Sequence, residues 1–326
     1  MEFRTIVTPT PLDEKLGYKA KTLFLGSCFA TNMGERMEEL RFPVMVNPFG
    51  ILYNPFSIAQ SINTLLTGKP FTEEQLFFHS GLWSSFYHHS IFSSSEKDIC
   101  LQNINKSLAA GFQFLQKANF LVITLGTTWV YQHRKNRMVV ANCHKIPANE
   151  FDRMPLTEEE IVQVMGHAIL KLREELPNLK IILTISPIRH WKDGAVQNMI
   201  SKATLIMAAQ KLCIAFPSCS YFPSFEIMMD DLRDYRFYAE DMLHPSEQAI
   251  DYIFEKFRSC AIDEESNAIM NEVEKLVKAT KHRPLNPNGE DYQKFLSNHL
   301  KQTKTLQQRC PFLNLQGIEE KFESNK

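Results

Sequence analysis

Short apolar runs alternate with amphipathic stretches along most of the chain. Lys21–Leu25 (KTLFL) predicts a strand that stops at Gly26, and Phe29–Leu40 then has helical character. Pro43–Val46 (PVMV) predicts a second strand, followed by the Gly-, Asn- and Pro-rich loop NPFGILYNP and a helix from Ser57 to about Leu66. Phe120–Leu125 (FLVITL) and Lys180–Ile185 (KIILTI) read as buried strands. Between them, Thr157 with acids behind it opens a helix whose apolar positions Ile161, Val164, Ala168 and Leu172 fall at steps of three and four. A long helix over Gly194–Phe216, a short strand at Ser220–Phe222 and a helix opened by Pro245 and Ser246, running to about Phe257, complete the series. In the long helix, the repeat of Ile200, Ala203 and Met207 reads as core packing. Strands that alternate with helices of ten or more residues need crossover connections. The expected fold class is therefore α/β, a parallel sheet with helices on both faces.

Two regions break this rhythm. Residues 67–118 hold aromatics and histidines (FFHSGLWSSFYHHSIF) and read as an insertion, and 263–326 read as a polar helical extension interrupted by HRPLNPNGE. The expected organisation is one α/β domain over residues 1–262 with the extension packed on it.

In open parallel sheets ligands sit beyond the carboxyl ends of the strands, so the residues that follow each strand are the candidates for chemistry. They are Gly26-Ser27-Cys28, then Asn47 and Gly50, then Gly126-Thr127-Thr128-Trp129, then Ser186-Pro187-Ile188-Arg189-His190, and then Tyr221 and Glu226. Asp241-Met242-Leu243-His244 precedes the last crossover helix. A serine between strand and helix exposes its hydroxyl near the N–H groups of a helix start. It is a weak nucleophile until a base accepts its proton. His244 is the candidate base for Ser27, and Asp241 the candidate that orients its imidazole. No glycine lies two residues after Ser27, so this is not the G-x-S-x-G elbow.

LFLGSCFATNMGERM resembles the signature of the GSCFA family, a branch of the SGNH (GDSL-like) hydrolase superfamily. The likeness extends through NPFGILYNP, TLGTTWVY, NCHKIP, SPIRHWKDG and DLRDYRFYAEDMLHP, covering about residues 20–260. The resemblance implies a flavodoxin-like three-layer α/β/α fold and ester-directed hydrolase or acyl-transfer chemistry. It implies Ser27 as nucleophile, His244 as base and Asp241 as its partner. It also implies an oxyanion hole from the backbone N–H groups of Ser27 and Gly50. The superfamily's third block carries an asparagine where Thr128 stands here. Either Thr128 serves, or an amide of Asn142, Asn54 or Asn47 substitutes, or turnover is poor; one lost oxyanion donor costs about 10²–10³ in rate elsewhere.

Other residues have a structural and a functional reading. Cys28 is the rival nucleophile and is expected to be a packed thiol. His144, in NCHK, is a loop histidine or a substrate contact. Arg189 and His190 end a strand on the right rim. Arg189 could hold a substrate carboxylate or phosphate, but an ion pair with the acids of DDLRDY is the expectation. His79, His88 and His89 lack metal-ligand spacing. Trp83, Phe86 and Tyr87 are an acceptor platform or a packed lid.

Composition narrows the class. Thirty-six basic and thirty-seven acidic residues leave a formal charge of −1 with no block of like charge, a balance that gives no sign of the basic face nucleic acid needs. No apolar run approaches the roughly 20 residues of a membrane span. The N-terminus lacks a basic region followed by an apolar one, and the seven cysteines form no C-x-x-C pair, so reduced thiols in a cytoplasmic protein are expected. There is no G-x-G-x-x-G or Walker lysine motif, and neither cofactor nor metal is expected. The substrate expected is a small-molecule or carbohydrate O-acyl ester, typically acetyl. The alternative is a non-catalytic protein that binds a glycan or acyl ligand on the same scaffold.

Overall fold

The computed structural model describes residues 4–324. In chain order its strands are β1 (Thr22–Gly26), β2 (Val44–Val46), β3 (Phe77–His79), β4 (Leu82–Ser84), β5 (Phe120–Leu125), β6 (Trp129–His133), β7 (Val139–Val140), β8 (Phe151–Pro155), β9 (Lys180–Ile185) and β10 (Cys219–Phe222). The helices are α1 (Cys28–Glu39), α2 (Pro55–Thr67), α3 (Lys97–Leu115), α4 (Glu158–Glu175), α5 (Gly194–Ala215), the short α6 (Ser224–Glu226), α7 (Glu247–Ala261), α8 (Glu264–Thr280), α9 (Glu290–Arg309) and α10 (Gln316–Ser324).

Five strands form one parallel sheet in the order β10-β9-β5-β1-β2. This is the doubly wound order in which the chain reverses direction between β1 and β5, the place where such sheets open a crevice. Side chains alternate across it. Phe24, Phe120, Val122 and Ile182 pack on one face with α1, α7 and the C-terminal helices. Leu23, Leu25, Leu121, Ile123, Leu183 and Ile185 pack on the other with α2–α5. Both faces of the sheet are buried, so its central strands are apolar runs.

Local signals explain the helix starts. Thr157 and Glu160 form a capping box, with Thr157 Oγ1 accepting from Glu160 N at 3.2 Å and Glu160 Oε2 accepting from Thr157 N at 2.7 Å. Such a cap contributes about 1 kcal/mol. Ser246 caps α7 in the same way, through Ala249 N at 3.3 Å.

The structure departs from the apolar pattern in three places. The region 67–118 is not one insertion, because its last part is α3, which packs on α2 and leads into β5. Residues 129–155 form an antiparallel sheet, β7-β6-β8. Its strands are short and one-sided, which leaves too few apolar positions to mark a period of two. The third concerns α5. Ile200, Ala203 and Met207 face outward, with Ile200 and Met207 53% and 54% exposed. The buried stripe is Asn198, Ser201, Lys202, Leu205, Ala208, Ala209 and Leu212. The helices of 263–326 bury Leu296, Leu300, Leu306 and Phe322 in the same core as Leu16, Phe29 and Ile253.

Candidate active site

Parallel pairing of Gly26 with Thr124, and of Leu125 with Ile185, brings three strand ends to one level. Gly26 makes the turn possible: at φ +134° a Cβ would lie 2.1 Å from Thr124 O. The next residue, Ser27, is the N-cap of α1, and its Oγ accepts from Phe29 N at 3.3 Å. It is only 1% exposed. Asn47 braces this turn, accepting from Gly26 N at 2.8 Å and donating to Thr31 Oγ1 at 3.0 Å. Tyr53 O accepts from Gly126 N and Thr127 N at 2.8 and 3.0 Å, which joins the 47–54 loop to the end of β5.

Asp241 and His244 are already paired. Nδ1 of His244 lies 2.5 Å from Asp241 Oδ2, and both side chains are about half exposed. The other carboxylate oxygen accepts from the backbone N–H groups of Leu243 and His244, each at 2.9 Å. These bonds, with the imidazole's, hold the Asp241 carboxyl down to about 2. An ionised Asp241 requires the proton of His244 on Nδ1, which leaves Nε2 to accept another. The loop is tied to the end of β9, because Arg189 N donates to Leu243 O at 3.2 Å.

Among the expected oxyanion donors, Ser27 N, Gly50 N and Thr128 already have acceptors. Ser27 N donates to Thr124 O at 3.2 Å and Gly50 N to Asn47 O at 2.7 Å. Thr128 donates from N and from Oγ1 to Ser201 Oγ, at 2.9 and 3.1 Å. Asn142 caps a turn by accepting from His144 N at 2.8 Å, and Asn54 caps α2 by accepting from Ser57 N at 2.8 Å. Those caps use the amide oxygens of Asn142 and Asn54, not their nitrogens. His144 binds Ser85 O through Nε2 at 2.8 Å, so it ties the 142–145 loop to the chain following β4.

Cys28 is partly buried, and burial pushes its thiol up rather than towards a thiolate. Arg189 does not make the ion pair expected of it. Asp230 pairs with Arg233, Asp231 with Arg4 and Lys256, and Asp234 with Arg236. Asp193 is held by Arg153 through two 2.5 Å bonds. The imidazole of His190 meets the Tyr53 ring edge-on at 5.6 Å. Burial, followed by the charges of Lys202 and Arg153, pulls it down to about 4.

The polar stripe of α5 is the part sequence reading missed. Lys202 is fully buried and donates from Nζ to Gly126 O and Ser186 O, both at 2.7 Å. Burial pulls it down to about 7. Ser201 anchors Thr128, and Asn198 accepts from His190 N at 2.9 Å. Three residues of one helix thus fix the loops that end β5 and β9. The signal was present as the spacing 198, 201, 202, 205, but the apolar repeat one position away masked it. Among the described residues, no group of three or more His, Cys, Asp or Glu side chains converges as metal ligands. No described helix is long and apolar enough to cross a membrane.

A sequence model of the GSCFA family matches residues 21–257, and one of the GSCFA C-terminal domain matches residues 273–325. No curated protein matches the chain. Among solved structures, an acetyl xylan esterase from the rumen bacterium Butyrivibrio proteoclasticus is similar at 12% identity, with a TM-score of 0.36. The match covers 74% of this chain and 64% of the esterase.

Proposed function

The chain belongs to the GSCFA family, and from that premise we propose that it is a serine esterase or acyltransferase acting on an O-acyl ester, such as an acetyl group on a carbohydrate. The observation that carries this reading is the Asp241–His244 pair, formed at 2.5 Å in a loop that Arg189 N ties to the segment following β9, while Ser27 follows β1 of the same parallel sheet. In the proposed reaction Ser27 Oγ attacks the acyl carbon while its proton passes to His244 Nε2. The tetrahedral intermediate expels the alcohol, which takes that proton, and leaves an acyl-serine. Water or a sugar hydroxyl then attacks the acyl-serine, with His244 again accepting a proton, and restores Ser27. Asp241 holds the imidazole in the required tautomer. For the oxyanion, the amide nitrogens of Asn54 and Asn142 lie outside the caps their oxygens make. Gly50 N or Thr128 would first have to release Asn47 O or Ser201.

A fluorophosphonate probe and p-nitrophenyl acetate test the reading on the full chain. Wild type is expected to be labelled at Ser27 and to hydrolyse the ester, with Ser27→Ala about 10⁴-fold slower or worse. Equal rates in both proteins would overturn it. The burial of Ser27 and its engaged neighbours favour one second reading, a binding protein without turnover. Intact ligand binding without labelling would select that alternative.

A further inference from the structure

Beside the His244 loop lies a cavity of about 180 Å³ whose wall includes Arg189, Arg233, Asp234, Tyr235 and Tyr238. The Arg189 guanidinium is flanked by two rings, with Trp191 at 5.2 Å and Tyr238 at 5.7 Å. Its Nε is buried without an acceptor, and every acid of the 230–234 stretch is paired with another base. A guanidinium flanked by aromatic rings keeps its in-plane N–H donors for a bidentate acceptor. Of the charged residues lining the cavity, Arg233 pairs with Asp230 and Asp234 with Arg236, so Arg189 is the one without an oppositely charged partner among the described residues. One unpartnered guanidinium matches the single charge of a carboxylate. The volume is below the roughly 300 Å³ at which pockets take whole ligands, so it fits a substituent. Arg189 N is bonded to Leu243 O, next to the candidate base, which sets the cavity beside the loop that carries His244.

We propose that this cavity is a carboxylate subsite, in which Arg189 grips the acid group of an anionic, ester-bearing substrate such as an acylated sugar acid. The inference rests on the esterase reading for the ester but not for the binding. D-Glucuronate, D-glucose and inorganic phosphate are titrated into the full chain while tryptophan fluorescence is followed, Trp191 being the reporter beside Arg189. Glucuronate is expected to give a saturable change, with glucose and phosphate at least tenfold weaker. Arg189→Gln should weaken glucuronate roughly ten- to hundredfold, as loss of a charge-assisted bidentate contact does. Ser27→Ala should bind like wild type, so this result stands or falls separately from labelling of Ser27. No response to glucuronate, an equal response to glucose, tighter binding of phosphate, or wild-type affinity in a folded Arg189→Gln would each overturn the proposal. If Arg189→Gln does not fold, Arg189→Lys, which keeps the charge but loses the planar fork, must bind at least tenfold more weakly; wild-type affinity in it overturns the proposal.

Discussion

A lysine ammonium loses its hydration on burial, and Lys202 recovers only part of it from two carbonyls. Its folded value of about 7 lies below the 10.5 of an exposed lysine. Between those values the unfolded chain binds a proton that the folded chain has released, so stability from this group rises with pH. The slope approaches about 1.4 kcal/mol per pH unit. Lys202→Met removes that gain but leaves Gly126 O and Ser186 O without their donor, at about 1–3 kcal/mol each. The stability of wild type minus that of Lys202→Met is therefore expected to rise by about 2–3 kcal/mol from pH 7 to pH 9. Urea melts at both pH values check this, and parallel pH dependences would show that Lys202 keeps its ordinary ionisation. The Asp241–His244 contact was legible from residue type and spacing. Lys202 was not, because a lysine in a helix is by default a solvated side chain.

At the scale of the element, α5 shows how an amphipathic pattern misleads. Its outward face carries Val196, Ile200, Met207 and Ile214, all more than half exposed, while its inward face turns polar near the strand ends. Ile200→Lys and Met207→Gln are expected to change stability by no more than about 0.5 kcal/mol. Leu205→Ala, at a fully buried position, should cost about 2–5 kcal/mol. Denaturant unfolding of the three variants separates the faces, and a large loss at Ile200 would restore the pattern read from sequence. Strands β1, β5 and β9 were readable within one residue because burial on both faces makes them continuous apolar runs. Strands β6–β8 form a sheet whose order only the folded chain supplies.

At the scale of the molecule, two histidines are held neutral near the crevice. His88 stacks on Phe49 at 4.9 Å and is pulled down to about 3 by burial, and His190 is pulled down to about 4. Both values lie below the 6.5 of an exposed histidine, so each group's stabilisation is complete above about pH 6.5 and is lost as the unfolded chain gains protons below it. Lowering the pH from 7 to 5 should cost about 2 kcal/mol per histidine, or about 4 kcal/mol together. His88→Phe should halve that loss in urea melts; the same loss in wild type and variant would count against it.

The sequence alone determined the alternation of strand and helix, because apolar periodicity follows directly from which faces must leave water. It also determined which residues gather on one rim, since the residues after successive parallel strands must lie at the same end of the sheet. The tertiary structure decided what those groups are bonded to. Whether Ser27 N and Thr128 face a ligand or a neighbouring acceptor depends on the relative heights of segments more than seventy residues apart in the chain, whereas Gly50 N is taken up by Asn47 O within its own loop. Whether Arg189 meets an aspartate or an open cavity depends on how the 230–238 segment packs against β9. Those distances arise only when the strands come into register and the helices close over them.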